Sequence, residues 1–215
     1  MSHRPRTVAV EGPCCAGKTT LAHGLAHELS DLAVAYVKDY SDHVGGGRFL
    51  PHPVPNSIAE EQRALERFLS IEADRAAEVR SSADQWDVVL IDRSIHTLLA
   101  HCHALTHLTG VDYIGLARDA VQRSSIPLWP DLVLYLDVSQ DTINARNGGK
   151  FEDSSIFIDP DFNKGIRSYF LQLASLKQRQ VVWLDATRDA TMLRWVASEQ
   201  VRALLDQQDG AEEGR

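Results

Sequence analysis

Residues 12–19 read Gly-Pro-Cys-Cys-Ala-Gly-Lys-Thr, with Thr20 next. Two glycines five positions apart, then a lysine and a hydroxyl, fit G-x-x-x-x-G-K-[ST], the phosphate-binding loop. The chemistry follows from the residue types. Backbone N–H groups from Cys14, Cys15 and Ala16 onward can cradle phosphate oxygens, and a helix opening at Lys18 adds its positive dipole end. Gly12 and Gly17 allow backbone angles that side chains obstruct, and Pro13 begins the stretch between them. Lys18 would reach the β and γ oxygens of a bound triphosphate, and the Thr19 hydroxyl would ligate Mg²⁺, with Thr20 completing the first turn. The adjacent thiols are open to two readings. Near a helix N-terminus they are candidates for lowered pKa values and oxidation; alternatively they are small side chains that fit the loop.

A second station lies at Asp92-Arg93, directly after the apolar run Val88-Val89-Leu90-Ile91. At the carboxyl edge of a parallel sheet, Asp92 would hold Mg²⁺ through water. Arg93 would grip a phosphate with its forked guanidinium; the alternative is a strand-end ion pair. Lys38 and Asp39 end another apolar run and face the same crevice. Lys38 could bind a phosphate already on the acceptor. Asp39 could instead orient an acceptor hydroxyl and take its proton, or the two could be an ordinary surface charge pair. His103 and His107 have zinc-ligand spacing, but no third ligand accompanies them.

These residues need a scaffold that gathers strand ends. Apolar runs predict strands at 7–11, 33–39, 87–92, 131–138 and 180–186. Helical periodicity predicts helices over 18–30, 57–82 (capped by Asn56 or Ser57, with Glu60 or Glu61 reaching back), 94–108, 112–123, 159–174 and 189–206. A short helix from 139 is interrupted near 147–157. The Gly- and Pro-rich stretch 40–56 reads as a loop. Strands alternating with helices imply an α/β fold: five parallel strands with helices on both faces. One domain over 1–208 accounts for these elements. Residues 146–158 are expected to form a small lid and 209–215 a polar tail.

With 22 basic against 30 acidic residues the net charge is −8, which argues against a nucleic-acid polymer as partner. No apolar run is long enough to span a membrane. Three cysteines, two of them adjacent, do not read as a disulfide framework, and a reducing cytoplasm is expected.

The chain resembles the thymidylate kinase family, with a looser likeness to deoxynucleoside kinases. The resemblance runs from Val8 to about Leu205. Asp92, Arg93, Ser94, Thr97, Ala100, His101 and Cys102 occupy the places of the family's Asp-Arg-Tyr-x-x-Ser-x-x-Ala-Tyr-Gln run. Leu65 to Val79 resembles its Phe-Ala-Ala-Asp-Arg helix, with Asp74 and Arg75 matching. The likeness implies a P-loop nucleotide kinase fold and ATP- and Mg²⁺-dependent phosphoryl transfer to a small acceptor. It implies that Arg75 contacts the acceptor, and that Arg93 and Thr97 line its site. It also implies a lid that supplies the catalytic cation, with Arg146 and Lys150 the candidates, and a homodimer through helices 94–123; Lys164 and Arg167, spaced for one helix face, could assist the lid.

The departures fall on the acceptor side. Ile71 stands for the phenylalanine that stacks on thymine, and His101 and Cys102 for a tyrosine and a glutamine. Lys38, Asp39 and Tyr40 replace Arg-Glu-Pro. An aliphatic side chain cannot stack on a base as a ring does; Tyr40, Phe49 and Phe68 are other candidates. The first expectation is therefore a nucleoside monophosphate kinase. The alternatives are a kinase of a nucleoside or other hydroxyl-bearing metabolite with Asp39 as base, and a P-loop switch module with no acceptor.

Overall fold

The strand β1 (Arg6–Glu11) is buried from Thr7 onward, because both faces of a central parallel strand are covered. Its neighbours are β3 (Val88–Asp92) and β4 (Leu132–Asp137), with β2 (Val34–Val37) and β5 (Gln180–Asp185) at the edges. All pairings are parallel in the order β2-β3-β1-β4-β5, with Val10 opposite Asp92 and Glu11 opposite Tyr135. The computed structural model describes residues 4–124, 128–176 and 180–212, and the last three residues of the expected tail lie outside it.

The period-2 alternation splits the core in two. Val8, Val10, Leu90 and Leu134 point to the face covered by α1 (Lys18–Glu28) and α8 (Ala190–Glu212). Val133 and Tyr135 point to the other face. There they meet α4 (Ile95–Thr109) and α7 (Pro160–Ala174), with α3 (Ile58–Arg80) and α5 (Tyr113–Arg123) beside them. Gly165 lies against Ala104, where an added Cβ would meet the α4 backbone at 2.7 Å, so α4 and α7 approach closely. α8 runs to Glu212, past the predicted end at 206.

Two local differences from the sequence reading matter for the site. β2 ends at Val37, so Lys38 and Asp39 lie beyond the strand. Asp39 instead caps a short helix, α2 (Tyr40–His43), accepting from the Ser41 N–H at 3.0 Å. An aspartate just before a turn competes for backbone donors in this way. At α3 the expected cap forms: the Ser57 hydroxyl accepts from the Glu60 N–H at 3.2 Å. The Glu60 carboxylate reaches back to the Asn56 N–H at 2.8 Å. Glu60 is thereby used for capping, and Glu61 is left to face inward.

Between β4 and α7, α6 (Gln140–Asn147) stops at Gly148, whose φ of 52° is left-handed, and Gly149 follows at 80°. The Asn147 amide brackets Phe151, accepting from its N–H and donating to its carbonyl, each at 2.9 Å. The segment 148–159 therefore has a fixed turn at its start and returns to α7 through Phe157, which packs near Phe151 and Phe162.

Candidate active site

The loop from Gly12 to Gly17 joins β1 to α1 at the carboxyl edge of the sheet, beside β3. Gly12 has a φ of 141°, and a Cβ there would sit 2.7 Å from the Leu136 carbonyl oxygen, so no other residue fits. Gly17 is the N-cap of α1 at φ 98°, and no side chain caps the helix. The first-turn N–H groups are thus left for an anion. Lys18 is buried and its ammonium donates to the Pro13 carbonyl at 2.7 Å. Burial, with nearby Arg93 adding repulsion, lowers its pKa to about 8, a deficit that a bound polyphosphate would reverse.

Thr19 and Asp92 come together as expected. The Thr19 hydroxyl donates to Asp92 Oδ2 at 2.6 Å, and the Tyr36 hydroxyl approaches the same oxygen at 3.2 Å. Asp92 is fully buried, and its Oδ1 has no hydrogen-bond partner among the described residues. A buried, orphaned carboxylate oxygen beside a hydroxyl, at a phosphate loop, fits a hard divalent cation.

Arg93 occupies a left-handed backbone conformation, φ 62°, unusual for a side chain of its size. That turn swings the guanidinium across the loop. Its Nε donates to Asp39 Oδ2 at 3.0 Å, and an NH2 group lies 3.5 Å from the Cys14 sulfur. Burial opposes its charge, but Cys14, Asp39, Glu11 and Asp92 together outweigh burial and hold its pKa above the usual value. Cys15 also takes a left-handed turn, at φ 61°, and its thiol pKa is raised, chiefly by burial.

A cavity of about 380 Å³ opens from Arg93 and Cys14 towards α3 and α4. That size suits a small-molecule ligand. Asp39, Thr97, His101 and Lys150 line it, as does Tyr40 with Phe68, two of the alternative stackers. Phe49, the third, does not; it is 48% exposed. His101 Nε2 is 2.7 Å from the Pro53 carbonyl, so that nitrogen carries the proton, and the contact pins the 50–56 loop to α4. Burial depresses the His101 pKa to about 4, keeping the ring neutral.

Three expected acceptor residues are not part of this cavity. Ile71 is 1% exposed and packed in the core against α4 and α5 residues. Lys38 is exposed and does not line it. Arg75 is fully buried beneath the site. Its guanidinium donates to Glu72 Oε2 at 2.7 Å, to the Asp92 carbonyl at 3.1 Å and to the Arg93 carbonyl at 2.6 Å. It also lies 4.3 Å from the Tyr40 ring centre, and the Tyr40 hydroxyl donates to Glu72 at 2.9 Å. The expectation that Arg75 touches the acceptor is therefore corrected: it holds the backbone that aims Asp92 and Arg93.

The expected lid cations separate. Lys150 sits at the cavity rim, 5.4 Å from the Phe151 ring centre. Arg146 instead donates to the Ala16 carbonyl at 3.3 Å and the Ala186 carbonyl at 2.8 Å, joining the phosphate loop to the end of β5. Arg167 forks onto Asp137 at 2.9 and 3.0 Å, and Lys164 pairs with Asp161 in solvent. Neither lines the cavity.

Glu11 was not singled out from the sequence, though its place at the end of the central strand, just before Gly12, was a usable signal. It is buried and accepts from the Ser94 N–H and hydroxyl at 2.8 and 2.7 Å and from the Thr97 hydroxyl at 2.6 Å. Burial raises its pKa against those hydrogen bonds and the nearby Arg93. Among the described residues no group of three or more His, Cys, Asp or Glu side chains is placed to hold a metal ion. No helix among the described residues is long and apolar enough to cross a membrane.

The family model for thymidylate kinase matches residues 10–194. A thymidylate kinase from Bradyrhizobium sp. (strain ORS 278) is 29% identical over 212 residues, covering 94% of this chain and 92% of its own length. A probable thymidylate kinase from Halobacterium salinarum is 30% identical over 187 residues, covering 84% of this chain and 87% of its own. Among solved structures, a deoxyadenosine kinase from M. mycoides with bound dATP superposes with a TM-score of 0.60 at 18% identity. That match covers 91% of this chain and 99% of the other, and it speaks to the fold.

Proposed function

The chain belongs to the thymidylate kinase family and is a P-loop nucleotide or nucleoside kinase, and from that premise we propose that it transfers the γ-phosphoryl group of ATP to a hydroxyl of a nucleoside. The observation that carries this choice is the charge of the acceptor cavity. Asp39 stands at its mouth, 3.0 Å from Arg93, and Glu61 stands deeper in its wall. Among the described residues its Lys and Arg residues are Arg93 and Lys150, since Lys38 and Arg75 do not line it. A monophosphate would bring about two negative charges against those carboxylates. A neutral hydroxyl finds in Asp39 an acceptor for its proton.

In this reading the loop N–H groups and Lys18 bind the triphosphate, with Arg146 fixing the loop from behind. Thr19 and Asp92 would hold Mg²⁺, which when bound supplies charge neutralisation across the phosphates. Asp39 accepts the hydroxyl proton as the oxygen attacks. Arg93 stabilises charge on the transferring group, and Lys150 closes the rim. Placing these charges before the reaction is what lowers the barrier. Keeping water out matters equally, because water would otherwise be phosphorylated.

A second reading, phosphorylation of a nucleoside monophosphate, is favoured by the family itself and by the two cations, Arg93 and Lys150, that line the cavity. One experiment separates them. ATP-Mg²⁺ turnover is measured on each common nucleoside and its 5′-monophosphate, with products identified by mass. Gain of one phosphoryl group on nucleosides, with monophosphates inert, is the expected result. Turnover confined to monophosphates would replace it with the second reading.

A further inference from the structure

Glu61 is 5% exposed and lines the acceptor cavity with Leu65, Phe68 and Leu98. The Cys102 thiol donates to its Oε1 at 3.1 Å. Among the described residues its Oε2 makes no hydrogen bond or ion pair, and since it is not one of the enclosed orphan atoms it opens to the cavity. Burial pushes its pKa up, against the opposing effect of the Cys102 hydrogen bond. A carboxyl in such surroundings is costly unless something hydrogen-bonds to it. Among the described residues nothing does so at Oε2, which leaves water or a ligand in the cavity to supply the donor.

The surroundings say what kind of group would do so. The cavity walls carry the rings of Phe68, Phe151 and Phe157, suited to the faces of a flat heterocycle. An N–H edge satisfies a carboxylate oxygen. A carbonyl in the amino group's place sets two acceptors against each other there, and the donor on that edge is then the adjacent ring N–H, one position away from Oε2. We propose that Glu61 is the residue that selects the acceptor base, and that it selects bases presenting an exocyclic amino group over those presenting a carbonyl in its place. This rests on the nucleoside-kinase reading above and specifies its substrate. It also accounts for Cys102, whose thiol holds Oε1 and so leaves Oε2 as the reading atom.

The test is equilibrium binding of matched pairs to the full-length enzyme: deoxycytidine against deoxyuridine, deoxyadenosine against deoxyinosine, and the 5′-monophosphates of all four. Within each pair the amino member should bind about 10- to 100-fold tighter, the usual worth of a hydrogen bond to a buried charged group. Glu61→Gln, which presents an amide donor in the same place, should abolish that preference or turn it towards the carbonyl member. Equal binding within the wild-type pairs, tighter binding of the carbonyl members, or binding of none of the eight overturns the proposal. So does an unchanged preference in Glu61→Gln. Should that variant not fold, the wild-type ratios decide alone. Binding of monophosphates in place of nucleosides would sink the hydroxyl-acceptor reading, while the ratios within the monophosphate pairs would still judge Glu61.

Discussion

Replacing Arg75 with leucine should unfold the site from below without touching the ligand. The guanidinium makes three hydrogen bonds, to Glu72 and to the carbonyls of Asp92 and Arg93, and the Arg75 and Glu72 side chains are only 1% and 2% exposed. Leucine would strand the Glu72 carboxylate with the Tyr40 hydroxyl as its remaining partner. It would also release the backbone that keeps Arg93 in its left-handed turn. Removing one partner of a buried ion pair costs about 3–5 kcal/mol. In a domain of this size that corresponds to a fall in Tm of roughly 6–20 °C. Urea and thermal unfolding of Arg75→Leu measure it directly. The double variant Arg75→Leu/Glu72→Leu should recover more than half of the loss, because no buried charge is then left unpaired. The sequence-based alternative, in which Arg75 contacts the acceptor, predicts a variant of normal stability with a raised KM. A Tm within about 2 °C of wild type would therefore refute the supporting role given to Arg75 here.

Lys18→Ala should lower the phosphotransfer rate by about 10²–10⁴-fold through loss of charge at the transferring group, measured by single-turnover kinetics; an undiminished rate would mean the phosphate site is misplaced. ATP binding should also move protons at that lysine. With its pKa lowered to about 8, free Lys18 loses its proton above that pH, and the triphosphate restores it. Calorimetry near pH 8.5 in buffers of different ionisation enthalpy should thus show uptake of roughly half to one proton per ATP, falling towards zero well below pH 8. Ile71→Phe should destabilise by about 1–3 kcal/mol, because the side chain lies in a packed core, and should bring no gain in thymidine or thymidylate use. A stable variant with improved use of either would place position 71 in the acceptor site after all.

Much of the fold was legible because its signals are local. Apolar runs and helix caps marked the strands and helices, and their alternation implied the parallel sheet. The donor side was legible for the same reason, since Gly12 to Thr19 are contiguous and Asp92 ends a strand that must lie beside them. The cavity is assembled from α2, α3, α4 and the 148–159 segment, and no spacing rule says which face of α3 meets it. Ile71 and Arg75 turn into the core, whereas Glu61 and Phe68 on the same helix line the cavity. The Glu61–Cys102 contact spans 41 positions, so only the packing of α3 on α4 reveals it. Arg75 shows the same limit. A positive charge that matches a family motif reads as a ligand contact in sequence, and only burial with Glu72 shows that its partners are internal.

The central claim is that Asp39 takes a proton from an acceptor hydroxyl, and Asp39→Asn tests it most directly. The variant keeps the shape and, through its Oδ1, the cap of α2, but removes the base together with the ion pair to Arg93. On each acceptor that the wild-type enzyme phosphorylates, kcat should fall by about 10²–10⁴-fold, the usual worth of a general base, with ATP affinity unchanged. A kcat that holds or rises would contradict the account, because losing a carboxylate at the cavity mouth helps only an acceptor that arrives already phosphorylated.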